Sequence, residues 1–330
     1  MPEGYAAGCM LEEWRATDVG RGEPGDRAVS VPGKPTNLAG TDAVRYVTTI
    51  DDPRADDEDV AVLHLEGVYA HAEVEITGEI LGGDGPVTHD AYYEPLRIPF
   101  RPAEEGETRI AVTCEAPDDR FGGLHDTDRV PEDQRVPGIW WDARVETYSL
   151  PFVDDVQVRP ELTAEGAVLH VKSTVVTDEP LEDRLTYSLK PAGELKTRGM
   201  MDRGKIEASG PGKTVGEHTI DVRDPSLWWP RGYGEQHRYT LRAKFEDTEQ
   251  RVTTGICHVK REDDHFVVNG EPVPIRGVNL VTADPEDVER ALDVNANLVR
   301  AHSQVLPPAV YEAADEAGLL VWQDLPLTGP

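Results

Sequence analysis

From residue 44 onward the apolar positions come in short runs that alternate with polar ones. Residues 44–50 are β-branched and roughly alternating, and 60–66 follow an acidic loop at 51–59. Residues 72–76 keep a clean period of two, which sends successive side chains to opposite faces of a strand. A turn and short return at 77–82 lead into further runs at 97–100 and 109–114. No helical period intervenes, and strands at this spacing predict a β-sandwich or jelly roll over 44–150. Residues 1–43, rich in Gly, Pro and charge, read as an extended lead-in. Residues 118–137 read as a loop, after which Ile139-Trp140-Trp141 restarts a strand that runs through Val145 to Tyr148.

A second series of runs occupies 153–159, 167–176, 184–190, 215–222 and 237–246, with turns rich in Gly and Pro such as 209–212. It spans about the length of one immunoglobulin-like sandwich, giving a second domain over 151–257. After Cys257 the period changes. Residues 274–279 form a short apolar strand, and Asp284-Pro285-Glu286 opens a helix with a capping carboxylate and a proline in the first turn. Asn297-Leu298-Val299-Arg300 is a second strand, 308–317 a second helix ended by Gly318, and 319–324 a third strand. Strand, helix, strand, helix, strand with apolar strands predicts a parallel sheet over 258–330. Three such strands leave an edge to be paired, so 274–330 is expected to fray or to associate.

At 330 residues the chain is long enough for two or three domains. No apolar run approaches membrane-spanning length, and no membrane partner is expected. The opening Met1-Pro2-Glu3-Gly4-Tyr5 shows no basic region before an apolar stretch, so no secretory leader is expected. Cys9, Cys114 and Cys257 are far apart and form no paired motif. A reducing cytoplasm is the expected compartment. With 63 acidic against 33 basic residues the net charge is −30, spread along the whole chain. Such a surface excludes nucleic acid as a partner and fits a halophilic protein whose self-repulsion is screened by high salt. Asp126, Asp128, Glu132 and Asp133 lack the Asp-x-Asp-x-Asp-Gly spacing of a calcium loop, and neither a metal nor a cofactor is expected.

Several segments carry a family signature. Leu63-His64-Leu65-Glu66-Gly67-Val68 with Val74-Glu75-Ile76-Thr77-Gly78 is similar to the stretch "L-x-F-x-G-V … V-x-V-N-G" of glycoside hydrolase family 2. Pro137-Gly138-Ile139-Trp140 resembles that family's "G-G-I-W". Pro225-Ser226-Leu227-Trp228-Trp229-Pro230-Arg231-Gly232-Tyr233-Gly234 resembles the "P-x-L-W-W-P-x-G-x-G" of its β-mannosidase branch. Phe266 to Asn279 resembles the "F-x-x-N-G-x-P-x-x-x-R-G-x-N" entry to its barrel. The resemblance implies a sugar-binding jelly roll, an immunoglobulin-like sandwich and the first three strands of a (β/α)8 TIM barrel, 258–330 being an incomplete one. It also implies a β-glycoside as ligand and a role in carbohydrate metabolism. Thr77 stands where the family usually has Asn. Leu280-Val281 after Asn279 and His302-Ser303-Gln304-Val305 match neither the galactosidase nor the mannosidase form, which leaves the sugar open.

Retaining glycosidases use two carboxylates about 5 Å apart, one to protonate the leaving oxygen and one to attack the anomeric carbon. In the family these are glutamates on strands four and seven, so no catalytic residue is assigned within 1–330. The enzyme reading therefore needs the rest of the barrel, from a second polypeptide or by self-association. The alternative is a non-catalytic carbohydrate-binding or remnant protein. Five residues at the ends of the predicted parallel strands are candidates for binding sugar. Asp324 and Trp322 line a subsite, the indole stacking on a pyranose ring, or else fill the barrel and cap a turn. Arg300 matches an arginine that supports the family's carboxylates, or makes a surface ion pair. His302 reaches a sugar hydroxyl or is only solvated, and Asn279 ends the first strand. Trp228, Trp229 and Pro230 are expected to wedge a sandwich against the parallel strands rather than to bind sugar.

The charge makes a first prediction. Thermal melts of the chain in rising KCl should move to higher temperature as ions screen the acidic surface. A midpoint that stays constant from low to multimolar KCl would remove the halophilic reading.

Overall fold

The structure, a computed structural model, describes residues 8–19, 25–83, 85–90, 94–103, 106–116, 136–193, 199–262, 265–280, 284–302 and 305–324. The acidic loop with Asp126, Asp128, Glu132 and Asp133 lies outside them, as do Val281, Ser303 and Gln304. The chain is mainly β and divides into two compact units. One holds the residues up to Leu150, and the other runs from Pro151 to His302 and from Leu306 to Asp324.

In the first unit a five-stranded and a six-stranded antiparallel sheet enclose one core. Tyr46, Leu63, Leu65, Phe100, Ile110, Val112 and Val145 fill it, each on the inward side of an alternating strand. The Tyr46 hydroxyl donates to the Pro137 carbonyl at 3.0 Å, and burial pushes its pKa far above the ordinary tyrosine value. Trp140 stacks on Tyr69 and donates its indole N–H to Val136 O at 2.7 Å.

The lead-in expected over 1–43 is corrected by this unit. Glu13–Asp18 and Arg27–Ser30 are strands of the six-stranded sheet, and Cys9–Met10 joins the five-stranded one. Leu11, Trp14, Val31 and Leu38 belong to the core. Trp14, Ala16 and Asp18 point inward and Glu13 and Arg15 outward, an alternation hidden by the small and acidic residues on the buried side.

The second unit begins with a three-stranded sheet (Phe152–Thr163, Gly166–Thr177, Gly212–Val222) facing a four-stranded one. The latter comprises Met200–Ala208, Leu181–Pro191, Arg238–Phe245 and Thr248–Gly255. Val171, Leu185, Tyr187, Ile220, Leu241 and Phe245 pack between them. Three short antiparallel strands, Val259–Glu262, His265–Val268 and Glu271–Val273, lead to a parallel sheet of Gly277–Leu280, Leu298–Ala301 and Leu320–Gln323.

Helices α1 (Glu286–Asp293) and α2 (Pro308–Ala317) connect the parallel strands and cover one face of them. Val288, Ala291, Val310 and Ala314 of the helices bury Leu280, Val299 and Ala301 of the strands. Asp284 accepts the Glu286 N–H at 2.9 Å, closing the first turn of α1 as its sequence predicts. On the opposite face Leu298 and Leu320 pack with Trp228, Val268 and Val273. Trp228 donates its indole N–H to Asp315 O in α2 at 2.9 Å, and Arg231 N donates to Gly318 O at 2.8 Å. Trp228 thus takes the expected wedge position, and 306–324 group with this compact unit. No helix among the described residues is long and apolar enough to cross a membrane.

Gly318 ends α2 with φ 73°, and a Cβ there would lie 2.8 Å from both Arg231 N and Gln236 Nε2. Gly318→Ala should therefore lower stability by about 1–3 kcal/mol, from the left-handed backbone and the close approach together. Urea unfolding followed by circular dichroism measures this, and an unchanged midpoint would show that the contact with 231–236 is not tight.

Candidate functional site

The register of the parallel sheet lines up three of the five candidates. Asn279 pairs with Arg300 and Arg300 with Trp322, so the three side chains form one row across the face opposite the helices. The row is polar and open where the neighbouring row, Leu298 and Leu320, is buried. Trp322 is 47% exposed, an unusual state for an indole on a sheet face. The ring of Phe266 meets it edge-on at 6.1 Å and holds its plane.

Asp324 follows the third strand and gathers the remaining candidates. Arg300 Nε donates to its Oδ1 at 3.0 Å, and an Arg300 terminal nitrogen lies 2.7 Å from its Oδ2. This is the two-pronged guanidinium–carboxylate geometry, which fixes direction as well as distance. His302 Nδ1 lies 3.2 Å from the same Oδ2. The ion-pair partner of Arg300 is thus another candidate. His302 is only 14% exposed at its side chain, so it is an ordered member of the group rather than a solvated loop histidine.

Two residues behind the strand ends had no site role in the sequence. The Tyr311 hydroxyl in α2 donates to Gln323 Oε1 at 2.5 Å and accepts the Leu306 N–H at 3.1 Å. It ties the segment before α2 to the end of the third strand, next to Asp324. Only the helical face of α2 pointed to Tyr311, since it falls on the same side as the core residues Val310 and Ala314.

A cavity of about 590 Å³ adjoins the site and is lined by Trp228, Cys257, Phe266, Leu320, Val321 and Trp322 among others. Burial first, and then the Asp315 carboxylate, push the Cys257 thiol above its usual range. Among the described residues no group of three or more His, Cys, Asp or Glu could hold a metal ion.

A model of the family described as Glycosyl hydrolases family 2 matches residues 152–258. β-Mannosidase B of Emericella nidulans is 29% identical over 214 residues, which is 57% of this chain and 25% of that protein. β-Mannosidase of Rattus norvegicus is 25% identical over 222 residues, 57% of this chain and 24% of that one. The chain thus spans about a quarter of the length of these relatives. Among solved structures, a β-glucuronidase of Bacteroides uniformis superposes with TM-score 0.73 at 16% identity, over 97% of this chain and 42% of that one. A β-D-mannosidase of Dictyoglomus thermophilum gives 0.69 at 20%, over 96% and 47%. At such identities these structures share the fold.

The Arg300–Asp324 pair can be weighed directly. A double-mutant cycle with Arg300→Gln and Asp324→Asn should give a coupling of about 1–2 kcal/mol, above an exposed pair and below a buried one. Strictly additive losses in urea unfolding would show that the pair does not organise the strand ends.

Proposed function

The chain belongs to glycosyl hydrolases family 2, and on that premise we propose that it forms the sugar-positioning N-terminal part of a retaining β-glycosidase. In this reading the first unit is a jelly roll that takes in the residues before 44, 151–257 an immunoglobulin-like sandwich, and 258–330 the first three strands of a (β/α)8 barrel. The observation that carries it is the row of Asn279, Arg300 and Trp322, with Asp324 gripping Arg300 and His302 at the strand ends. In barrels of this kind ligands sit at those ends.

The chemistry divides accordingly. Among the described residues Asp324 is the carboxylate at the parallel strand ends, and both its oxygens are engaged by cationic or imidazole groups. A carboxylate so occupied suits orientation rather than proton transfer or attack. Its part is to fix the guanidinium and imidazole toward the sugar hydroxyls, while the indole of Trp322 offers an apolar face to the ring. The acid/base and the nucleophile of the retaining mechanism would come from glutamates on further barrel strands. β-Mannosides are the first choice of substrate, because the relatives similar in sequence are β-mannosidases. The acidic surface fits residence in a cytoplasm of high salt.

Methyl β-mannoside should quench the tryptophan fluorescence of the chain saturably, and Trp322→Phe should remove most of that signal. Asp324→Asn should weaken the binding about tenfold, equivalent to about 1.4 kcal/mol. No saturable response to the β-mannoside, galactoside, glucoside or glucuronide would overturn the proposal.

A further inference from the structure

The four-stranded sheet of the second unit turns Leu185, Tyr187, Ile206, Leu241 and Phe245 into the core. Strand alternation then places Arg184, Lys190, Arg203 and Lys244 on its outer face. Among the described residues these four side chains have no ion pair or hydrogen bond. Toward one edge of the face Arg242 and Arg251 stand directly opposite each other on neighbouring strands, a pairing that repels. One carboxylate, Glu249, serves both, at 3.2 and 2.5 Å. A groove of about 190 Å³ runs beside them, lined in part by Ser188, Lys190 and Thr240.

This concentration runs against the chain. With a net charge of −30, cations are scarce, and an arrangement of unpaired and mutually repelling ones is a cost that an anionic ligand would relieve. The chemistry of the face narrows the ligand. Guanidinium forks and ammonium groups suit carboxylates. The hydroxyls of Ser188, Thr240 and Thr253 alternate with them and suit sugar hydroxyls, Thr240 and Thr253 being already 3.3 Å apart. No aromatic side chain projects from these strands on this side. The face therefore lacks a stacking platform for a neutral sugar or a nucleic-acid base, and lacks the aromatic anchors of a protein interface.

We propose that this sheet face is a second carbohydrate-binding surface, separate from the Asp324 site, that takes glycans whose sugars carry carboxylates. It does not rest on the reading of that site. Binding is by short contacts between charged groups, so its strength falls with added salt as screening closes in to about 3 Å at 1 M.

The test is calorimetric titration of the full chain with a galacturonate oligomer, with a neutral mannan oligomer as control. The galacturonate oligomer should bind and the mannan oligomer should not bind at this face. The triple variant K190Q/R203Q/K244Q should bind at least about tenfold more weakly. Its circular dichroism should match the parent, since all three side chains are partly or fully exposed and unpartnered. Asp324→Asn should leave this binding unchanged, which separates it from the candidate site. Absence of galacturonate binding overturns the proposal, as does equal binding by the triple variant or loss in Asp324→Asn. A single-stranded oligonucleotide that binds at this face as tightly would overturn it too, and would make the face a general polyanion surface.

Discussion

Trp228 is held from three directions within the second unit. Its amide donates to Ile256 O, its carbonyl accepts Asn269 Nδ2, and its indole reaches Asp315 O in α2, each at 2.9 Å. The ring packs with Leu298 and Leu320, on the side of the parallel sheet that the helices do not cover. A three-stranded parallel sheet cannot close a core by itself, because such strands need cover on both faces. Here one cover is helical and part of the other is a single aromatic side chain brought by the loop between the sandwich strands Gly212–Val222 and Arg238–Phe245. Burial of an indole with its one donor satisfied contributes on the order of 3–5 kcal/mol, a large share of the stability of an ordinary domain. It bears on the placement of Arg300 and Trp322, since Leu298 and Leu320 belong to the same two strands.

The parts of the fold legible in the sequence are those in which local and tertiary requirements agree. The helix at 308–317 matches its predicted limits, because proline opens it and a left-handed glycine ends it. The parallel strands are visible as short apolar runs; the second and third shift by one residue, and the first begins three residues later than expected. Met200–Ala208 was not visible, for a physical reason. Gly204 interrupts its alternation, and Gly204 is there because the stacked rings of Tyr187 and His218 leave no room for a Cβ, which would lie 2.9 Å from each. Glu13–Asp18 was missed because its inward side carries Ala16 and Asp18 beside one tryptophan. In both cases the burial pattern depends on neighbours distant in sequence.

The candidate site divides in the same way. Residue types at predicted strand ends were enough to nominate Asn279, Arg300, His302, Trp322 and Asp324. Their mutual geometry was not, since only the register shows that Arg300 and His302 converge on one carboxylate. Phe266 and Tyr311 act on the site through an edge contact and a hydrogen bond. Neither contact follows from any spacing along the chain.

The clamp between Gly318 and Arg231 lies where the third parallel strand begins, and Asp324 lies where it ends. Anchorage and the candidate site thus occupy opposite ends of one short strand. Changes in the segments beyond the site end can accumulate over evolution without loosening the anchor. If the site end binds sugar as proposed, a lineage built on this frame is free to drift between sugars while its framework stays in place, and an engineer recasting that end inherits the same freedom.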